Sequence, residues 1–160
     1  MEAAESLQIV KGADFIRKED LLSHISKIEL EITDLESLKA ACKRLGFTFQ
    51  EYQKTYQWYG RWVGDSKLPE GILESDLGKC DHAIRVPECL YEIGVVRKGT
   101  KYILLWDSWH KGGLEKKIGS NASVLKQAYA VERIKREALR KKYRICEQNI
   151  NNTVRLVLMV

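Results

Sequence analysis

The sequence lacks several features that would place a protein in a class at once. In 160 residues it has 2 Pro and 4 Cys, and the cysteines, at positions 42, 80, 89 and 146, form no Cys-x-x-Cys pair. This spacing predicts reduced thiols, because a chain of this length builds a core without disulfides. An apolar run of about 18 residues, the minimum for a membrane-spanning helix, is also missing. Neither Gly-x-Gly-x-x-Gly nor Gly-Lys-Ser/Thr occurs, which excludes the two common phosphate-binding loop motifs.

What the sequence does contain is the composition of a folded domain. Hydrophobic residues make up 44% and charged residues 31% of the chain, and 27 Lys and Arg against 22 Asp and Glu give a formal net charge of +5. A chain of this size predicts one hydrophobic core. Regular patterns begin at Ser23, so we expect a single domain over residues 23–160 and an N-terminal extension over residues 1–22. Residues 1–5 are acidic, unlike a secretory signal or a transit peptide, which predicts that the protein works where it is made.

The first third of the chain has the pattern of a strand followed by a helix. Between residues 28 and 32 apolar side chains alternate with charged ones, as in a strand with one solvated face at a sheet edge. Thr33 and Glu36 match a capping box, and apolar residues at helical spacing then continue to Gly46. Tyr52, Tyr56 and Trp58 are separated by even numbers of residues and would lie on one face of a strand. This pattern predicts that a further extended segment reaches about Tyr59.

The second half predicts three antiparallel strands, a long helix and a terminal hairpin. Alternating residues mark strands over residues 82–86, 91–95 and 102–106. Ser120 or Asn121 is a candidate N-cap for the helix. The expected apolar face of this helix consists of Val124, Ala128, Val131, Ile134 and Ala138. The element order is typical of an α+β fold, mainly an antiparallel sheet with two helices packed on one face.

Positive charge is concentrated in the long helix. Between residues 126 and 144 there are eight Lys and Arg against two Glu, a net charge of +6, so the rest of the chain sums to −1. Such a cluster predicts binding to a polyanion, either an acidic protein or a nucleic acid. The alternative is a solvated helix face whose cations interact with the negative end of the helix dipole. The residues that we expect to bind a polyanion are Arg133, Arg136, Arg140 and Lys141.

A second candidate is an aromatic surface between residues 56 and 64. Arg61 lies between Trp58 and Trp62, an arrangement suited to stacking on bases or gripping a planar ligand. The same aromatic residues are typical of strands and cores, in which case the nearby glycines mark a bend. Both interpretations stay open at the level of sequence.

Potential metal ligands occur in a weak pattern. Cys80 and His82 form one close pair, and Cys89 follows at a distance. A structural zinc site ordinarily uses two close pairs of ligands. We therefore expect no metal site.

An alternative function is that of a small enzyme. Asp81, His82 and Asp107 supply acid and base types, in a hypothetical cleft lined by Trp58 and Trp106. Sequence neighbours on a strand point to opposite faces, so the pattern by itself assembles no acid–base pair. It assigns no catalytic residue and no cofactor.

Five separated blocks of the sequence resemble one protein family. Residues 23–28, 34–39, 53–60, 81–86 and 91–96 are similar, in this order, to the hypothetical chloroplast reading-frame family numbered thirty-five, found in cyanobacteria and algal plastid genomes. The resemblance covers about residues 23–160 and implies a protein of the plastid stroma, or of the cytoplasm of a cyanobacterium. It carries no activity or cofactor over to individual residues. Together with the basic helix, it leads us to expect a non-enzymatic binding or regulatory module that engages an acidic partner.

Overall fold

The computed structural model describes residues 7–9, 15–17, 25–60, 62, 67–151 and 153–160, and it confirms the α+β class. The α-helices are α1 (Leu35–Leu45), α2 (Leu114–Ile118) and α3 (Ser123–Arg140). The strands are β1 (Leu7–Ile9), β2 (Phe15–Arg17), β3 (Ile25–Ile32), β4 (Thr48–Gln50), β5 (His82–Arg85), β6 (Glu92–Lys98), β7 (Lys101–Asp107), β8 (Arg144–Ile150) and β9 (Thr153–Met159). Short 3₁₀ turns lie at Glu74–Asp76, His110–Gly112 and Ser120–Ala122. Within the predicted extension only β1 and β2 are described, and they pair antiparallel.

The main sheet has five strands in the order β3-β7-β6-β5-β4, and every neighbouring pair is antiparallel. The strands predicted after position 82 are its β5, β6 and β7. β3 lies at the edge, as its charged residues predicted, with Ile28 and Ile32 buried and Glu29 and Glu31 exposed. Its register against β7 shifts between Ile28 and Ile32, which marks an irregularity in this edge strand.

α1 and α3 pack on one face of this sheet, as predicted. Ile84 and Leu104 of the sheet lie in one buried cluster with Leu38 of α1 and Leu125 of α3. All four side chains are completely buried. Because burial of one such side chain stabilises a fold by about 1.5–3 kcal/mol, this cluster holds α3 firmly against the rest of the domain.

The opposite face of the sheet is covered by the long segment between β4 and β5. Tyr56, Ile72, Leu77 and Cys80 of this segment form a second buried cluster with Leu105 of β7. Glycines let the aromatic rings approach the backbone closely. A Cβ added at Gly94 of β6 would come within 2.4 Å of the Tyr56 ring.

The predicted strand that reaches Tyr59 is wrong, because β4 ends at Gln50. The backbone beyond it bonds to other groups instead. The N–H of Gln57 donates to the buried carboxylate of Glu92 at 3.0 Å. The N–H of Tyr56 donates to the carbonyl of Gly78 at 2.9 Å. These bonds use the donors that a neighbouring strand would need.

The N-cap of α1 is Asp34, one residue later than the predicted cap. Asp34 has extended backbone angles (φ −130°, ψ 99°), and its carboxylate accepts the N–H of Glu36 at 3.1 Å. Thr33 is wrong as the cap because its hydroxyl accepts a hydrogen bond from Arg133 instead. The helix ends at Gly46 as predicted, in the left-handed conformation (φ 78°) that glycine adopts without strain.

α3 begins later than expected. Ser120 and Asn121 are wrong as caps, since they lie in a 3₁₀ turn, and Ala122 precedes the first helical residue with φ 57°. The buried stripe is also rotated relative to the prediction. Val124 and Ile134 are 39% and 41% exposed. The buried residues of this helix are Leu125, Ala128, Tyr129, Val131 and Ala138.

The predicted terminal hairpin is confirmed. β8 and β9 pair antiparallel from Arg144 with Met159 to Ile150 with Thr153, and they form a separate two-stranded sheet. An isolated hairpin is marginally stable in water, so this one needs its contacts with the rest of the domain. Within the described ranges, no helix combines the length and the apolar character needed to cross a membrane.

Candidate anion-binding surface

Three of the four predicted polyanion-binding residues line a single cavity. Arg133, Arg136 and Arg140 occupy successive turns of α3 and surround a cavity of about 290 Å³ together with Thr33, Asp34 and Glu137. We call this the arginine cavity. A helix turns about 100° per residue, so spacings of three and four residues keep the three guanidinium groups on one side of α3.

A buried tyrosine brings the other wall of the arginine cavity into place. Tyr129 lies one turn before Arg133 and is 5% exposed. Its hydroxyl accepts the backbone N–H groups of Thr33 and Asp34, at 3.1 and 3.2 Å. The turn between β3 and α1 is therefore fixed against α3, although the two segments are far apart in sequence.

Asp34 is the acidic counterpart of these arginines. Its carboxylate accepts hydrogen bonds from the Ser37 hydroxyl at 2.7 Å and from Arg136 Nε at 2.9 Å. Burial acts to raise the pKa of Asp34, but the hydrogen bonds from Ser37 and Arg136 outweigh it, so the pKa lies below its usual value. Asp34 thus stays ionised and neutralises part of the positive charge in the cavity.

Lys141, the fourth predicted residue, lies outside the arginine cavity. Glu137 separates the two: its carboxylate is 3.1 Å from Arg140 Nη1 and 3.7 Å from Lys141 Nζ. The side chains of Arg140 and Lys141 are 70% and 56% exposed. Exposed ion pairs of this kind are weak, so both cations can exchange Glu137 for an external carboxylate at little cost.

Two other cations near α3 are paired inside the protein. Lys135 lies 3.1 Å from Glu147 of β8 and 3.8 Å from Glu132. Arg44 of α1 contacts the same two carboxylates. The hydrogen bond from Arg44 is the largest cause that lowers the pKa of Glu147, to about 2. This network ties α1, α3 and the terminal hairpin together, and it removes two cations from the surface available to a ligand.

Two residues of the predicted aromatic surface, Trp58 and Trp62, are described. Trp58 and Trp62 are partly buried against the cluster under the long segment. A Cβ added at Gly78 would lie 2.7 Å from Trp58 Nε1, so the indole sits directly on that backbone. Arg61, the residue that a stacking role would require, lies outside the described residues.

The three residues of the enzyme hypothesis do not share a cleft. His82 is buried, and its ring contacts Phe49 and Tyr102 on the face of the sheet that carries the helices. Leu105 packs on the opposite face of the sheet, under the long segment. Asp107 lies two residues further along the same strand, so its side chain is on that opposite face as well. Trp106 packs with the helices and Trp58 with the long segment, so these two indoles also lie on opposite sides.

Each of the three side chains accepts a hydrogen bond from a nearby backbone N–H group. His82 Nδ1 accepts the N–H of Tyr52 at 2.9 Å, and burial lowers the His82 pKa. Asp107 accepts the N–H groups of Tyr59 and Trp109 at 3.1 and 3.0 Å. Asp81 accepts the N–H of Arg97 at 2.7 Å. These contacts organise loops and strand ends rather than an acid–base pair.

The two cysteines considered as zinc ligands, Cys80 and Cys89, contact different parts of the protein. The Cys80 thiol donates to the carbonyl of Gln53 at 3.2 Å, and burial raises its pKa to about 12. A Cβ added at Gly113 would lie 3.3 Å from Cys89 Sγ, so this thiol packs on that turn. In the part of the chain that the structure describes, no group of three or more His, Cys, Asp or Glu is placed to hold a metal ion.

Two cavity residues, Thr33 and Asp34, were not expected in the site. In sequence they belong to the start of α1, and Asp34 is 102 positions from its partner Arg136. No local pattern links such distant residues.

Comparison with family models, with curated proteins and with solved structures finds no match.

Proposed function

We propose that the protein is a non-enzymatic binding or regulatory module that engages an acidic protein through the arginine cavity of α3. The observation that carries this proposal is the convergence of Arg133, Arg136 and Arg140 on one cavity. The planar guanidinium group donates two parallel hydrogen bonds to a carboxylate, which makes arginine the preferred cation for recognising acidic side chains. A cluster of three offers several such positions within one contact.

The charge balance favours an acidic protein over a nucleic acid. Three guanidinium groups face the carboxylates of Asp34 and Glu137, which leaves the cavity with a net charge of +1. Nucleic-acid surfaces neutralise a series of phosphates and therefore need a larger positive surplus along a track. Lys135 and Arg44 do not extend the cavity into such a track, because both are paired with Glu132 and Glu147.

The resemblance of the five sequence blocks adds an expectation about location. On that basis we place the protein in the plastid stroma, or in the cytoplasm of a cyanobacterium, and expect its partner there. Fractionation of the source cells with an antibody against the protein tests this part independently of binding.

Binding is tested with the full chain and a fluorescent hexaglutamate peptide. Substitution of Arg133, Arg136 and Arg140 by Gln should weaken binding at least about tenfold, because hydrogen bonds to charged groups contribute about 1.5–3 kcal/mol each. Affinity should also fall as salt is added.

The matched control removes three exposed lysines elsewhere, Lys43, Lys67 and Lys116, and changes the net charge equally. Equal losses in the two triple variants would show a general charge effect and overturn the proposal. Tighter binding to a single-stranded oligonucleotide than to hexaglutamate, lost in the arginine variant, would replace the acidic protein by a nucleic acid.

A further inference from the structure

A second cavity adjoins the arginine cavity and has a different chemical character. It has a volume of about 240 Å³ and lies between α3 and the terminal hairpin. We call it the apolar cavity. Its lining consists of Ile134, Glu137, Ala138, Lys141, Tyr143 and Leu158.

Aliphatic side chains in the apolar cavity remain accessible to solvent. Ile134 is 41% exposed and Leu158 is 47% exposed. Ile134 and Ala138 are four residues apart on α3, whereas Leu158 comes from β9, where it pairs with Ile145 of β8. Two separate elements thus place apolar groups around one concave site, as in surfaces that receive a partner side chain.

Glu137 belongs to both cavities and marks the boundary between them. At about 100° per residue, Arg136 and Arg140 lie on one side of Glu137 around the helix axis, and Ile134 and Ala138 lie on the other. Side chains extend to about 5–6 Å from the helix axis. Two cavities on either side of Glu137 are therefore separated by roughly one helix diameter, about 10 Å. A single short segment of a partner is long enough to occupy both.

We infer that the two cavities form one binding surface for an acidic segment with an apolar anchor residue. The inference rests on the proposed function, since the arginine cavity supplies the attraction for the acidic residues. An aliphatic or aromatic side chain of the partner fills the apolar cavity. Carboxylates about three residues away reach the arginines, because an extended chain rises about 3.3 Å per residue.

The charges at the rim support this choice of occupant. Lys141 stands at the apolar cavity and Arg140 at the arginine cavity, and both now pair with Glu137. Carboxylates that flank the anchor residue can replace Glu137 on either side.

The test compares two labelled heptapeptides, one with Leu between two triplets of Glu and the other with Ser in place of Leu. The protein should bind the Leu peptide about tenfold more tightly, the order expected for burying one leucine side chain. Ile134→Ser combined with Leu158→Ser should abolish this preference and leave affinity for the Ser peptide unchanged. Ile134→Ser alone should reduce the preference without altering the hairpin. Leu139→Ser is the matched control, since Leu139 is 78% exposed on α3 and lines neither cavity.

The outcomes separate this inference from the proposed function. If both peptides bind equally and the triple arginine variant still loses them, the arginine cavity binds acidic segments and the anchor inference is overturned. If the Leu peptide is preferred but the preference survives in the double variant, the anchor lies elsewhere and the inference is also overturned. If neither peptide responds to the arginine substitutions, the proposed function itself fails. Sedimentation that shows a dimer dissociated by Ile134→Ser would assign the apolar cavity to a second copy and overturn the inference.

Discussion

Arg136 of α3 donates from Nε to the carboxylate of Asp34 at 2.9 Å, and this bond joins residues 102 positions apart. The same carboxylate caps α1. One acidic side chain thus serves as a helix cap and as one of the two carboxylates that line the arginine cavity. Under the proposed function, an acidic partner would compete with Asp34 for Arg136, which would couple affinity to internal stability at this position.

Asp34→Asn separates the two roles. Asn caps helices about as well as Asp, so the start of α1 should persist. Loss of the pair with the half-exposed Arg136 should lower the free energy of unfolding by less than about 1 kcal/mol and raise affinity for hexaglutamate about threefold. Urea titration and fluorescence anisotropy measure the two effects. Asp34→Ala should cost about 1 kcal/mol more through the lost cap. Unchanged affinity in Asp34→Asn would show that this carboxylate does not compete with the ligand.

Tyr129→Phe tests the contact that positions the wall of the arginine cavity. The substitution removes the acceptor for the N–H groups of Thr33 and Asp34. Both N–H groups are only partly buried, so the cost should lie near the lower end of the range of about 1–3 kcal/mol for an unpaired buried donor, and the urea midpoint should fall accordingly. Tyr52→Phe is the control, because Tyr52 is 69% exposed, and it should change stability little. Equal stability of Tyr129→Phe and the wild type would contradict this role.

His82→Asn tests a pH dependence. Burial lowers the pKa of His82 in the folded protein, whereas the unfolded chain binds the proton at about pH 6.5. Stability should therefore be fully present above about pH 6.5 and decrease as the pH falls toward the lowered pKa. Asn keeps an acceptor for the Tyr52 N–H but does not titrate in this range. Urea titrations across this range should give a smaller slope of stability against pH for the variant. An unchanged slope would assign the pH dependence to other groups.

Strands and helices with regular local patterns were predicted correctly from the sequence. The alternation at residues 28–32 marks an edge strand with one buried face. The strands after residue 82 were also predicted, although in the structure the sheet is covered on both faces there. Gly46 ends α1 because its left-handed conformation is a local property of the chain. The basic face of α3 was also recognisable, since spacings of three and four residues put Arg133, Arg136 and Arg140 on one side of a helix.

The errors arose where distant residues decide the local structure. The segment up to Tyr59 has the residues of a strand, but Glu92 and Gly78 take its backbone donors. Thr33 matches a capping pattern, yet Arg133 binds its hydroxyl. The apolar cavity was not predicted at all, because it needs Leu158 of the hairpin beside α3.

Glu147→Gln tests how the hairpin is held. Glu147 accepts hydrogen bonds from Arg44 and Lys135, and its pKa is lowered to about 2, with the Arg44 bond as the largest cause. The stability that this carboxylate contributes is present above its usual pKa, about 4.3, and is lost as the pH falls toward about 2. At neutral pH the variant should lose about 1 kcal/mol, and the amides of β8 and β9 should exchange faster with deuterium. Glu115→Gln, on an exposed residue, is the control. Unchanged exchange in β8 would refute the proposed tie.

Glu137→Gln tests whether the carboxylate between the two cavities acts as an internal substitute for the ligand. The variant frees Arg140 and Lys141 from their pairs at 3.1 and 3.7 Å. Affinity for hexaglutamate should rise about threefold, the size of effect expected for one exposed ion pair. Stability should change by less than about 0.5 kcal/mol, since pairs within a helix contribute little. Glu132→Gln changes the net charge equally but acts on Arg44 and on Lys135, which lines neither cavity. A general charge effect would raise affinity in both variants alike, whereas competition for the cavity predicts an increase that is larger for Glu137→Gln.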